Sequence, residues 1–340
     1  MQESELRQDR TNGRWVIIAP NRWARPGAHA TGTRTGSDEI GPSFCATCPF
    51  CPGNEAQLPG IIAETRVGAA PEWSVRIVPN KYPALQAAAG ERGNRNGENR
   101  RDGYGFHEVI IESPFHNAAL VSMGDEQLDA VIAVYRSRCN HLMAQPTIEA
   151  VTLFRNQGPG GGASLSHPHA QVLALGVVPP NVALLTDWGQ RYHAEHGRCP
   201  TCDEIERERA LAQRVIEDSQ NFTVIVPFAA EHPFETWIVP KQHQASFLAL
   251  RDAHQRELGS LLRRTLRRLC WGLDNPAYNF VVDSAGREHL DAPYVHWRLR
   301  IVPDLTKRGG FELASGMFIN PSSPEEDAAI LRSAAQPNDT

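Results

Sequence analysis

Two cysteine pairs, Cys48/Cys51 and Cys199/Cys202, each stand ahead of two widely spaced histidines in the same order. In the first set the C-x2-C pair is followed by His116, closing "FHEVIIESPFH", and then by His167 in "SHPHAQ". In the second it is followed by His243, closing "PFETWIVPKQH", and then by His296 in "PYVHW". The interval from His116 to His167 is 51 residues, and that from His243 to His296 is 53. The strand-like runs before the middle histidines align without a gap, Glu108 with Glu235 and Ile111 with Ile238. Just upstream, "VRIVPNKYP" echoes "FTVIVPFAAEHP". This regularity predicts one structural unit written twice.

The pairs also predict chemistry. The chain has 7 cysteines, five of them in "CATCPFC" and "CPTC", and an odd count in a long chain argues against a disulfide framework. A redox C-x2-C would follow a strand and open a helix, whereas "CPFCPGN" and "HGRCPTCD" read as Pro/Gly-rich loops. The expectation is therefore zinc, two per chain. One is held by Cys48, Cys51, His116 and His167, the other by Cys199, Cys202, His243 and His296. Cys45 extends the first cluster and makes Cys45/Cys48 a competing pair. Cys48/Cys51 is preferred because the tight Pro/Gly turn follows it directly. Four protein ligands leave no open position for water, so both metals are expected to be structural. Cys139 and Cys270 fall within helical patterns and are expected to be buried apolar residues.

The two copies differ where it matters. Aligning His296 with His167 puts Arg298 opposite His169 and Arg300 opposite Gln171. A residue kept only for metal should recur with the metal site, and His169 does not. On a strand, residues i and i+2 face the same side, so His167, His169 and Gln171 point together. A free imidazole, with a pKa near about 6.5, is largely neutral at neutral pH. The preceding "GPGGGAS" lets backbone N–H groups approach a phosphate, Ser164 and Ser166 add hydroxyls, and Gln171 can donate from its amide. A lone strand histidine is more often a packed core residue, and a glycine run more often a loop. Their conjunction with the repeat favours covalent catalysis by His169 at phosphorus, with Gln171 and Ser164 assisting.

Periodicity predicts an α+β chain with mainly antiparallel sheets and packed helices. Strands are expected at 14–19, 74–79, 107–113, 150–155 and 170–175, then at 221–227, 234–239, 278–283 and 296–302. Long amphipathic helices are expected over 124–145, capped by Asp125, and over 250–273. A last helix should start at Ser323, with Pro324 in its first turn and Glu326 completing a capping box. Residues 176–198 read as a linker and 86–105 as a surface loop, dividing the chain into halves 1–185 and 186–340. A net charge of −5 offers no field for gripping nucleic acid. No apolar run is long enough to span a membrane and the start lacks an apolar leader, so a cytoplasmic protein is expected.

"HPHAQ" resembles the HPHxQ motif of the galactose-1-phosphate uridylyltransferase family, within the histidine-triad superfamily. The likeness runs through "GRWVIIAPNRWARP", "CPFCPGN", "VPNKYPAL", "GFHEVIIESPFH", "FRNQGPGGGASLSHPHAQ", "HPFETWIVPKQH" and "GGFELASGMFINPSSPEE" in order. The resemblance implies two tandem histidine-triad-like units and a nucleotidylated His169. It implies that Gln171 holds the phosphoryl group where histidine-triad hydrolases carry a third histidine. By the same motifs Arg22 and Arg25 should contact phosphates, Asn80 the nucleoside, and Asn156 and Ser164 the phosphate pocket. The implied substrates are a nucleotide-sugar with a sugar 1-phosphate or phosphate. The implied assembly is a homodimer, with residues 308–321 reaching the partner's site. Arg298 and Arg300 replace the HxH of the best-known bacterial members, and the second Cys/His set is similar to that of the plant ADP-glucose phosphorylase branch. Two readings follow: hexose-1-phosphate uridylyltransferase, or adenylyltransferase with phosphate as acceptor. A histidine-triad hydrolase would want histidine in place of Gln171, and a zinc-ribbon binding module would want a basic face.

Overall fold

The computed structural model describes residues 3–24, 41–68, 73–87 and 102–334. Its elements, in order, are β1 (Glu5–Gln8), β2 (Trp15–Ile18), β3 (Ala63–Thr65), β4 (Val75–Pro79), β5 (Gly105–Ile111) and α1 (Asp125–Met143). Then come β6 (Ala150–Gln157), β7 (His169–Leu175), α2 (Pro180–His196), α3 (Pro200–Leu211), β8 (Val215–Asp218), β9 (Phe222–Ile225) and β10 (Thr236–Pro240). The chain closes with α4 (Asp252–Gly272), β11 (Tyr278–Asp283), β12 (Arg298–Pro303), α5 (Gly310–Ser315), β13 (Phe318–Asn320) and α6 (Pro324–Ser333). This is the expected α+β architecture.

The duplication is visible in the sheet. Its strand order is β3-β4-β5-β7-β6-β11-β12-β10-β9-β8, a palindrome whose midline is the antiparallel pair β6–β11. Each half contributes one long helix to the same face, and α1 packs on α4, with Gly259 letting α4 close on Leu128. Ile110, Ala170 and Val172 from one half and Ile238, Leu299 and Ile301 from the other form the core under these helices. The opposite face carries smaller apolar clusters around Val109 and Ile111 and around Trp237 and Val239.

Register corrects the ungapped alignment by one residue. Ile110 pairs with Ala170, and Ile238 with Leu299, all four facing the helices. Ile238 is therefore the counterpart of Ile110, and Glu235 that of His107 rather than of Glu108. A one-residue slip turns every side chain to the other face, so burial of the isoleucines decides the match.

A separate sheet, β1-β2-β13, has an antiparallel and a parallel pair and lies against the second half through Val16, Ile18, Phe228, Ala229 and Phe318. Arg7 reaches Glu325 at 2.9 Å and Arg14 reaches Glu231 at 3.1 Å.

Several local expectations are overturned. The segment 176–198 is no linker: most of it is α2, which starts at Pro180 and ends at left-handed Gly197. Its few buried side chains leave little apolar stripe for periodicity to catch. Gly124, not Asp125, takes the N-cap of α1, and Asp125 opens the helix as a first-turn carboxylate beside its positive end. Ser323 does occupy the N-cap of α6, but it forms no capping box: its hydroxyl donates to Glu325 at 3.1 Å. Cys199–Cys202 opens α3 rather than sitting in a loop, although the element before it is a helix. Of the proposed surface loop, residues 88–101 lie outside the described residues, while Gln86 bridges Tyr104.

Candidate active site and candidate metal centres

The first Cys/His set converges at one end of β5 and β7. Tight turns bring Cys48 and Cys51 together, and Asn54 clamps the knuckle by donating to the carbonyls of Cys45 (3.1 Å) and Cys48 (2.7 Å). His167 Nδ1 lies 3.7 Å from Cys48 Sγ and 3.6 Å from Cys51 Sγ, and His116 Nδ1 lies 3.5 Å from Cys51 Sγ. His167 donates from Nε2 to the Ser113 carbonyl at 2.8 Å, which leaves Nδ1 as a lone pair facing the sulfurs. Cys45 stays out of the group: its thiol meets Thr47 Oγ1 at 3.3 Å.

The second set repeats the arrangement. Cys202 Sγ lies 3.4 Å from Nδ1 of both His243 and His296, and His243 donates from Nε2 to the Ala292 carbonyl at 3.0 Å. In each set the four donor atoms lie within 4.8 Å of one another, so both groups could hold a metal ion. A tetrahedral ion about 2.3 Å from sulfur and about 2.0 Å from nitrogen gives S···N edges of about 3.5 Å, in line with these separations. Burial pushes the Cys48 thiol up to about 11 and the His167 imidazole down to about 4. Neither group tolerates charge there alone.

His169 lies beside this centre without joining it. It starts β7, buried, with the edge of Phe50 at 5.3 Å between ring centroids. Its Nδ1 meets the His167 carbonyl at 2.8 Å, and burial lowers its pKa. Gln171 follows two residues on, opposite Val109 of β5 and Phe154 of β6. The glycine loop lies beyond β6. Gly162 has φ +85°, and a Cβ on Gly161 would lie 2.5 Å from the Gln157 carbonyl oxygen. Asn279 ties this loop to the midline, donating to Gly161 O at 2.6 Å and to Asn156 Oδ1 at 2.9 Å. Ser164 is exposed on the loop, and Arg22 is exposed on the turn Pro20–Ala24. Arg25 lies outside the described residues.

Two family models match: the N-terminal domain of galactose-1-phosphate uridyl transferase over residues 1–179, and its C-terminal domain over residues 186–275. The chain belongs to the galactose-1-phosphate uridylyltransferase family. It is 36% identical to the ADP-glucose phosphorylase of Arabidopsis thaliana over 336 residues, covering 97% of this chain and 93% of that one. It is 26% identical to a galactose-1-phosphate uridylyltransferase of Thermotoga maritima, covering 96% and 98%. Among solved structures, that of an Arabidopsis ADP-glucose phosphorylase with bound ADP-glucose superposes with a TM-score of 0.82 at 35% identity, over 97% of this chain and 98% of that one. A uridylyltransferase structure superposes with a TM-score of 0.74 at 26% identity, over 98% of each chain. The family is one of nucleotidyltransferases.

In this family member the second half keeps the framework of the site and fills it with charge. Arg298, at the place of His169, lies 3.6 Å over the Trp237 ring and bonds Asp283 at 3.0 Å and Thr11 at 2.8 Å. Arg300, at the place of Gln171, lies 3.3 Å from Asp283 and 4.0 Å from Glu231 and Glu235. Three side chains that no sequence motif marks also meet the candidate site. His107 lies on Gln171, at 2.8 Å; Asn279 orients Asn156; and Glu112 forms a buried pair with Arg155 behind the site. Strand parity could have found His107, since 107, 109 and 111 share a face with 169 and 171. Asn80, expected near the nucleoside, donates to Gln171 Oε1 at 3.3 Å.

Proposed function

We propose that this chain is a ping-pong nucleotidyltransferase in which His169 carries the nucleotidyl group. The observation that carries the reading is the imidazole of His169, fixed by its Nδ1 bond to the His167 carbonyl, two residues from a member of a four-donor group that could hold a metal ion. The Nε2 lone pair attacks the α-phosphorus of a nucleotide-sugar and a P–N bond forms. The bond to the bridging oxygen breaks, and sugar 1-phosphate leaves with that electron pair. An oxygen of the acceptor phosphate then attacks the same phosphorus and the P–N pair returns to Nε2. Gln171, Ser164 and backbone N–H groups of the glycine loop meet the charge on the phosphoryl oxygens, with each such donor contributing about 3 kcal/mol. Asn156 shapes that pocket, Asn80, just after β4, faces the nucleoside, and Arg22 and Arg25 supply cations for the phosphates.

Both Cys2His2 groups suit zinc, which when bound would tie together the distant loops that carry its ligands. Residues 1–185 form the catalytic histidine-triad-like half and 186–340 the histidine-triad-like half with the second zinc site. A homodimer in the cytoplasm, with 308–321 reaching its partner, completes the reading; light scattering that finds an active monomer would refute that part. The first substrate reading is UDP-glucose with a hexose 1-phosphate acceptor. The second is ADP-glucose with phosphate, favoured by the higher identity to the Arabidopsis phosphorylase. Incubation with α-phosphate-labelled UDP-glucose and, separately, ADP-glucose tests both. Acid-labile label on the protein is expected from one of them, and its absence with both overturns the mechanism.

A further inference from the structure

We propose that His107 is a positioning residue: it fixes the Gln171 amide so that its NH2 is the end left free to meet the phosphoryl group. This rests on the reading of His169 as the nucleophile. The backbone N–H of Ala84 donates to His107 Nδ1 at 3.1 Å. That nitrogen is therefore an acceptor, and the neutral ring carries its proton on Nε2. Nε2 lies 2.8 Å from Gln171 Oε1 and donates to it.

A second donor converges on the same oxygen. The N–H of Tyr82 donates to Asn80 Oδ1 at 2.8 Å, which fixes the Asn80 amide with its Nδ2 donating to Gln171 Oε1 at 3.3 Å. The 3.1 Å between Asn80 Nδ2 and His107 Nε2 reflects two donors aimed at one acceptor. Turning the Gln171 amide over would place its NH2 against both. The oxygen is thus held on the β4–β5 side, and the NH2 is set before substrate arrives. A donor already aimed needs no reorganisation as charge develops.

The duplicated half supports the assignment independently. Glu235 occupies the register position of His107, and Arg300 that of Gln171. Glu235 Oε1 lies 4.0 Å from Arg300. In both halves this position faces the same neighbour, and its chemistry changes with that neighbour: a carboxylate for a cation, a ring N–H for an amide oxygen.

The test measures single-turnover labelling of the protein with α-phosphate-labelled UDP-glucose and ADP-glucose, using whichever labels wild type. His107→Phe should slow labelling about ten- to a hundredfold, with metal content, melting temperature and nucleotide-sugar affinity unchanged. His107→Gln, which keeps a donor at the Nε2 position, should recover most of the rate. On a Gln171→Ala background, His107→Phe should add nothing. Labelling of His107→Phe at the wild-type rate, or losses that multiply with Gln171→Ala, would overturn the proposal while leaving His169 as nucleophile. If wild type takes no label, the nucleophile reading fails and this one with it. A measurement independent of variant folding is the 15N shift of the His107 ring in the wild-type protein: the Nε2–H tautomer is expected, and the Nδ1–H tautomer would refute it.

Discussion

The Nδ1 atom of His169 lies 2.8 Å from the carbonyl oxygen of His167, the residue two positions before it. A carbonyl can only accept, so Nδ1 carries the proton and Nε2 the lone pair. His167 makes the complementary choice, donating from Nε2 and presenting Nδ1 to the sulfurs. These two same-face histidines thus carry opposite tautomers. His169→Gly should keep its metal and melting temperature yet lose more than about a hundredfold in turnover. Added imidazole should restore part of it as a nucleoside phosphorimidazolide. His167→Ala should lose metal and stability. Metal analysis, thermal melts and turnover on the pair decide, and loss of metal by His169→Gly would sink the division of labour.

Cys199→Ser should release about one of two metal ions per chain and lower the melting temperature by about 5 °C or more, since the ligands come from separate elements. Elemental analysis of purified protein checks it. Unchanged metal content would remove the second centre.

Arg155 and Glu112 are both fully buried behind β7 and meet at 3.0 Å. Arg155→Met should therefore cost about 3–5 kcal/mol by stranding the Glu112 carboxylate. Arg155→Met combined with Glu112→Gln should recover most of this loss. Urea unfolding of the two variants makes the comparison, and a single variant as stable as wild type contradicts it.

Gly161→Ala places a methyl 2.5 Å from Gln157 O and 2.8 Å from Tyr278 O, both backbone atoms that cannot yield. Displacement of the loop by about 1 Å should lower turnover about a hundredfold with metal content intact. Steady-state kinetics near wild type would show that the loop does not set the phosphate position.

Burial raises the Asp327 carboxyl from 3.8 to about 7, against the opposing pull of donors from Ser322 and Phe234. Between these values the folded chain holds a proton that the unfolded chain has released. This group's contribution to stability is therefore present at low pH and falls as pH rises towards 7, by up to about 1.4 kcal/mol per unit. Asp327→Asn keeps an oxygen for both donors and cannot titrate, so its stability should fall less steeply than that of wild type from pH 4 to 7. Parallel slopes would refute the assignment.

Nine of the thirteen strands among the described residues and the two long helices were readable because runs rich in Val, Ile and Phe and helical apolar spacing mark them directly, while the short strands β1, β3, β8 and β13 carry no such run. The two Cys/His groups were readable because the duplication showed them twice. What escaped was whatever depends on contact across strands. His107 looks like one polar residue in "GFHEVII" until β7 is laid beside β5 in register. The α2 helix escaped because its side chains are nearly all exposed or half-buried, and its opening Pro–Pro suggests a connector. The one-residue slip between β5 and β10 was invisible because "HEVII" and "ETWIV" align equally well until packing says which isoleucine faces the helices.

Because β6 and β11 pair across the midline, neither half owns a finished boundary. Separating them would bare two unpaired strand edges, rows of N–H and C=O flanked by Leu153, Phe154, Phe280 and Val282. Such edges recruit any strand of matching length, including those of other copies. Expressed apart, the halves should seek each other or aggregate. Joined in one chain, they meet at an effective concentration set by the tether rather than by the cell. Duplication here has made what could be a meeting between molecules into a property of one.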